Sequence, residues 1–381
     1  MRSTICEMFN LEFPLVAFTH CRDVVVAVSK AGGMGVFGAV NLSPNRLKEE
    51  LEWIDANIDG KPYGVDLIVP NKFEGKGESV EASAMAEKIP QSHHDFVNNL
   101  LAEYDIEPAA QGGQEGLSSS TFADNLQEEG ALRAMEVAFE YPIAIIVNAL
   151  GVPPQSMKDM ASHHGVKVGA LVGSKEHAMA QVSAGVDVVI AAGGEAGGHC
   201  GDVSTMVLVP EICRAFENMD VNVPVLAAGG ITTGTQMAAA MTMGAAGAWC
   251  GSVWLTTSEA ETNPVVKEKM LAASSSDTVR SRARTGKHSR QLSSPWTQAW
   301  ESEGAPEPLP MPLQGMVSEP PLGRIDKLSQ SGHEGAQRLA TYWVGQGVGL
   351  MTETLSAGQV VQQFKEDFIG AYEKLAVAVN D

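Results

Sequence analysis

Val186-Asp-Val-Val-Ile-Ala-Ala-Gly-Gly-Glu-Ala-Gly-Gly-His-Cys-Gly201 is the stretch from which the rest of the chain can be read. Its first six residues are mostly β-branched and apolar and are bounded by Gly185 and Gly193, a pattern that predicts a short strand buried on both faces. Residues just past the carboxyl end of such a strand are where α/β folds hold ligands. Five glycines follow within nine positions (Gly193, Gly194, Gly197, Gly198, Gly201), leaving the backbone free to approach a flat or charged group. His199, framed by these glycines, is the candidate acid or base; the alternative is a flexible loop whose histidine is merely exposed.

Working outward, short apolar runs near residues 15, 36, 65, 145, 169, 188, 226 and 248 alternate with amphipathic segments. Ser43-Pro-Asn-Arg-Leu-Lys-Glu-Glu-Leu-Glu-Trp-Ile54 shows the helical type, with Ser as N-cap, Pro at the first position and Leu47, Leu51 and Ile54 on one face. Eight strand–helix units predict a closed parallel (β/α)8 barrel, a TIM barrel of the α/β class, with its site at the carboxyl ends of the strands. The alternation breaks at about 72–130, after the third strand, and at 261–328, after the eighth, where charge clusters, Ser runs and prolines predict inserted lid segments. The expected organisation is a barrel made of 1–260 and 329–381, with an insertion at 72–130 and a substrate-side excursion at 261–328.

Composition narrows the partners. A formal net charge of −20 over 381 residues argues against any broad nucleic-acid or anionic-membrane surface, leaving small molecules. Five cysteines without CxxC spacing provide neither a disulfide framework nor a zinc site. The N-terminus lacks a signal-peptide pattern, and no uncharged apolar run is long enough to span a bilayer. A cytoplasmic location is expected.

Two further stretches carry glycines past strands: Pro224-Val-Leu-Ala-Ala-Gly-Gly-Ile-Thr-Thr-Gly-Thr235 and Gly244-Ala-Ala-Gly-Ala-Trp-Cys-Gly-Ser-Val-Trp254. They fall after the seventh and eighth strands, where free backbone N–H groups and a helix N-terminus form the phosphate cradle of such barrels. Gly33-Met-Gly-Val-Phe-Gly38 spells GxGxxG, but it follows a helix and opens a strand, the reverse of a dinucleotide fingerprint.

Together Ala31-Gly-Gly-Met-Gly, Gly194-Glu-Ala-Gly-Gly-His199, Ala227-Ala-Gly-Gly-Ile231, Cys250-Gly-Ser252 and Gly345-Gln-Gly-Val-Gly-Leu350 resemble the nitronate monooxygenase family, formerly 2-nitropropane dioxygenases. The resemblance implies non-covalent FMN on the barrel. It implies that Ala17, Phe18 and Thr19 lie along the isoalloxazine and that Asn71 hydrogen-bonds it. Gly197, Gly198, Gly229 and Gly230 would approach the flavin or its phosphate, Trp249, Cys250, Gly251 and Ser252 would complete the cradle, and Gln346 would join them. His199 stands where the family keeps its catalytic histidine. The chain departs from the family at Ala17-Phe18-Thr19, where many members have Ala-Pro-Met, and at Ala192, where a glutamine is expected.

The function this implies is FMN-dependent oxidation of alkyl nitronates, or related stabilised carbanions, by O2, with His199 as general base or anion stabiliser. Two alternatives are an NAD(P)H-dependent FMN reductase acting on quinones or enoyl thioesters and an FMN-binding protein without turnover. A homodimer is among the assemblies left open. His20 is either a second acid or base or a histidine bonded to backbone. Cys21 and Cys200 are either low-pKa thiols or space-filling side chains. Glu195 either orients the His199 ring or faces solvent. The basic run Arg280–Arg290 either grips an anionic substrate handle or is a solvated loop. No metal site is expected, because the His93-His94 and His163-His164 pairs are adjacent rather than four apart.

Overall fold

The computed structural model describes residues 1–69, 85–107, 128–149 and 151–380. Eight parallel strands close into a barrel: β1 (Leu15–Thr19), β2 (Met34–Gly38), β3 (Tyr63–Leu67), β4 (Ile145–Asn148), β5 (Lys167–Val172), β6 (Val188–Ala192), β8 (Val225–Ala228) and β9 (Gly247–Cys250), with β7 (Gly198–His199) outside it. The Ala17–Cys250 register between β1 and β9 closes the ring. All eight strands expected from the sequence are present.

Strand alternation separates two environments. Val16, Val36, Val147, Ile190, Leu226 and Trp249 point inward and form one apolar cluster, which the helix Thr4–Phe9 plugs from the amino-terminal end with Ile5 and Phe9. Their neighbours, such as Ala17, Val189, Ala227 and Cys250, point outward against the surrounding helices. The helix Pro44–Asn57 begins as its sequence requires, Ser43 Oγ accepting from Arg46 N with Pro44 in the first turn, and buries Leu47, Leu51 and Ile54.

The described parts of the two interruptions fold together. Val97, Leu100 and Leu101 of the helix Gln91–Ala102 pack with Trp296, Trp300, Val317, Leu322 and Ile325 of the later excursion into a second apolar core. Ala336, Leu339, Val344 and Val348 join that core, whereas Val360, Val361 and Phe364 of the helix Ala357–Asn380 return to the barrel's outer layer. Within the excursion, β10 (Thr278–Ser281) and β11 (Ser289–Leu292) form an antiparallel hairpin. β7 adds to it as a third strand, Ser289 opposite His199 and Arg290 opposite Gly198. Among the described residues no helix is long and apolar enough to cross a membrane.

Candidate active site at the carboxyl end of the barrel

His199 is thus positioned from two directions: it follows β6 by seven residues, and its backbone is fixed by the hairpin edge. Gly198 adopts φ +74°, the left-handed region that glycine enters without strain, and this turns the chain onto β11. The His199 Nε2 lies 2.8 Å from Thr285 Oγ1 at the hairpin tip. Partial desolvation of this exposed ring, then the positive charges of Lys287 and Arg284, lower its pKa from the usual 6.5, which favours the neutral imidazole.

The glycine-rich loop is tied down rather than flexible. Arg290 donates through Nε and Nη2 to Gly194 O at 3.0 and 2.8 Å, and Arg280 donates to Cys200 O while pairing with Asp202. Arg284, nearly buried, grips Glu319 through two hydrogen bonds and stacks over the Trp343 ring at 3.9 Å. The basic run is therefore largely internal scaffolding, with Lys287 and His288 at its exposed tip. Glu195 does not approach the imidazole: its carboxylate accepts from Thr205 N and Oγ1 at 2.8 and 2.9 Å, capping the helix Thr205–Asn218.

Loops following β6, β8 and β9 converge on the Gly345–Leu350 motif. Gln346 N donates to Glu195 O, Gly345 N to Ser252 Oγ and Thr232 Oγ1 to Gly347 O. A Cβ on Gly197 would sit 2.8 Å from Gly345 N, so this crossing requires glycine. Gly197, Gly230, Ser252 and Gln346 are brought together this way, and Gly229 and Gly230 both take positive φ. Among the described residues, the N–H groups of Gly229, Gly230, Ile231 and Gly251 donate to no protein acceptor, an unused set of donors at two adjacent strand ends.

Beside the loop after β9, Phe18 of β1 caps the lumen, stacked on Trp249 at 6.0 Å and edge-on to His20 at 5.1 Å. His20 Nδ1 is 2.8 Å from Gly38 O, so this histidine is bonded to backbone, and burial lowers its pKa. Thr19 Oγ1 accepts from Cys21 N. Ala192 lines the lumen, whereas Ala17 and Cys250 turn their side chains into the outer layer, where only their backbone remains available to a ligand. Asn71 lies outside the described residues. Burial raises the pKa of both Cys21 and Cys200, which disfavours the thiolate form of each.

Asp66 belongs to none of the glycine-rich motifs. Its neighbours Val65 and Leu67 pack outward, so its carboxyl points into the upper lumen, 1% exposed, with Oδ1 unbonded among the described residues and its pKa pushed well above the carboxylate range by burial. The signal able to reveal it is a single acid inside the apolar run Tyr63-Gly-Val-Asp-Leu-Ile-Val69. Thr285 carries no such signal, because its contact with His199 spans 86 residues.

A parallel eight-stranded barrel whose carboxyl-end mouth gathers a histidine, a buried acid and a row of free amides has the organisation of an α/β-barrel enzyme. The nitronate monooxygenase family model matches residues 5–367, and the chain belongs to that family and is an oxidoreductase. Rv1533 of Mycobacterium tuberculosis, a protein named as a monooxygenase, is 49% identical over 377 residues, covering 98% of each chain. A Staphylococcus haemolyticus protein named "Probable nitronate monooxygenase" is 25% identical over 99% of this chain and 98% of its own. Among solved structures, FabK from Thermotoga maritima superposes with a TM-score of 0.70 at 26% identity, covering 99% of each chain. The nitroalkane oxidase from Streptomyces ansochromogenes shares the fold, with a TM-score of 0.76 at 23% identity over 98% of this chain and 100% of its own.

Proposed function

We propose that the protein oxidises alkyl nitronates, or closely related stabilised carbanions, using FMN and O2. The observation that carries this reading is the placement of His199 past the carboxyl end of β6, where β11 pairs with it, in a chain that matches the nitronate monooxygenase family along nearly its whole length.

The residues present fit FMN. The free N–H groups of Gly229, Gly230, Ile231 and Gly251 suit a phosphate, which prefers several backbone donors at once. Ser252 and Gln346 would close the same cradle, with Gly197 and Gly198 beside it. Phe18, Thr19, Trp249 and Ala192 would face the ring, with the backbone of Ala17 and Cys250 behind them. Asn71 would add a hydrogen bond. Asp66, with an unsatisfied oxygen buried in the upper lumen, would answer a polar edge of the isoalloxazine. When bound, FMN supplies the passage of electrons from the organic anion to O2.

His199 does the proton chemistry. With a neutral nitroalkane it would break the Cα–H bond, taking the proton onto an imidazole nitrogen while the electron pair delocalises onto the nitro group. With a preformed nitronate no proton is removed, and the ring is not called on as a base. A general base of this kind contributes on the order of 10²–10⁴ in rate.

Anaerobic mixing tests the reading. The purified protein should be yellow and release FMN on denaturation, and 2-nitropropane nitronate should bleach it. Admitting O2 should restore the colour. If NADH or NADPH bleaches it rapidly and nitronates do not, the protein is a reductase. Colour with no reaction to either donor makes it a flavin carrier.

A further inference from the structure

We infer that Thr285 is a positioning residue that fixes the His199 tautomer and thereby makes Nδ1 the nitrogen that handles the substrate proton. The inference rests on the proposed role of His199, but its structural half stands without it.

The argument is a count of hydrogens. Thr285 Oγ1 lies 2.8 Å from His199 Nε2, 3.2 Å from Lys287 O and 3.3 Å from Lys287 N. A hydroxyl has one hydrogen to give and two lone pairs to receive. Lys287 N can only donate, which uses one lone pair. Lys287 O can only accept, so its contact is favourable only if it receives the hydroxyl hydrogen. The remaining lone pair then faces Nε2, which must carry the proton. In the reverse arrangement the hydroxyl points at Nε2, and two oxygens with no hydrogen between them face each other at the hairpin tip.

With Nε2–H directed into the hairpin, Nδ1 keeps its lone pair and has no partner among the described residues. This is the form a base needs. It also requires no rearrangement during turnover: after Nδ1 gains a proton, Nε2–H still donates to Thr285 and the hydroxyl still donates to Lys287 O. The tip is built to hold this, because Arg284, immediately before Thr285, is pinned by Glu319 and Trp343, and Ser289 pairs directly with His199. The excursion therefore orients the base.

The test is ¹⁵N NMR of histidine-labelled protein, with the His199 signals assigned by their loss in His199→Gln. Wild type should show the Nε2–H tautomer, Thr285→Val a mixture or the Nδ1–H form, and Thr285→Ser the wild-type pattern. A wild-type ring protonated on Nδ1, or a tautomer unchanged by Thr285→Val, overturns the assignment. In turnover, Thr285→Val should slow neutral nitroalkane roughly tenfold to hundredfold, leave preformed nitronate nearly unaffected, and be rescued by Thr285→Ser. A shifted tautomer with an unchanged nitroalkane rate overturns the catalytic half. If instead His199→Asn leaves every activity intact, the base role fails while the tautomer result stands.

Discussion

The carboxylate of Glu195 accepts both the backbone N–H and the hydroxyl of Thr205, at 2.8 and 2.9 Å, fastening the glycine-rich loop to the start of the next helix. A negative charge at a helix N-terminus that also satisfies an otherwise unpaired amide typically stabilises by about 1–2 kcal/mol. Glu195→Ala should therefore lower the thermal midpoint by several degrees in calorimetry, and Glu195→Gln by less. Gln346 N bonds to the carbonyl of this same residue, so Glu195→Ala should also weaken FMN retention in a dilution assay.

The acid limb of nitroalkane turnover follows from the depressed pKa of His199. On the proposed function the base is active when neutral, so kcat/KM should fall on the acid side with an apparent pKa below the 6.5 of an ordinary histidine. Lys287 contributes to that depression, and Lys287→Met should move the limb toward higher pH. A limb that stays in place in Lys287→Met shows that the cation does not act on the titrating group.

Asp66 gives a stability prediction of opposite sign. In the unfolded chain this carboxyl releases its proton near pH 4, whereas in the folded barrel burial makes it hold on. Folding consequently takes up a proton across the interval between the two pKa values, and the group's contribution to stability is present at low pH and lost as pH rises. Asp66→Asn removes that slope. Urea unfolding should find the variant gaining on wild type between pH 5 and pH 9, with the least difference at the acid end.

A methyl group added at Gly197 tests the crossing of the two loops. The new Cβ would press on the backbone of Val344 and Gly345 at 2.8 Å, and backbone cannot swing aside as a side chain can. Overpacking of this kind costs about 1–3 kcal/mol. Gly197→Ala should unfold at lower urea and lose FMN, whereas Gly315→Ala, with open space around it, should do neither.

The barrel was legible because its strands are buried on both faces and therefore read as unbroken apolar runs; those near residues 188 and 226 need no partner to be recognised. His199 was legible as well, since a titratable residue among glycines past such a strand sits where a barrel holds its ligand. The fate of Glu195 was hidden, because a carboxylate four residues before a histidine says nothing about a threonine ten residues ahead. The basic run misled in a comparable way: Arg280, Arg284 and Arg290 spend their charge on Cys200 O, Glu319 and Gly194 O, partners that only the folded hairpin brings near. Thr285 and the β7–β11 pairing are non-local contacts between segments of ordinary composition, and sequence periodicity carries no trace of them.

The two-residue strand β7 gives the base a double allegiance. Its chain connection runs to the rigid barrel, but its lateral pairing runs to a hairpin whose own support is the separate core around Trp296 and Trp300. Any shift of that outer body on the barrel would carry the imidazole with it, while the donors after β8 and β9 stayed in place. On the proposed function, substrate fit and proton transfer would thereby be geared to one another: remodelling the outer body to admit a bulkier molecule would also re-aim the base, so variants selected for new substrates should show altered proton-transfer rates even when every residue of the barrel is untouched.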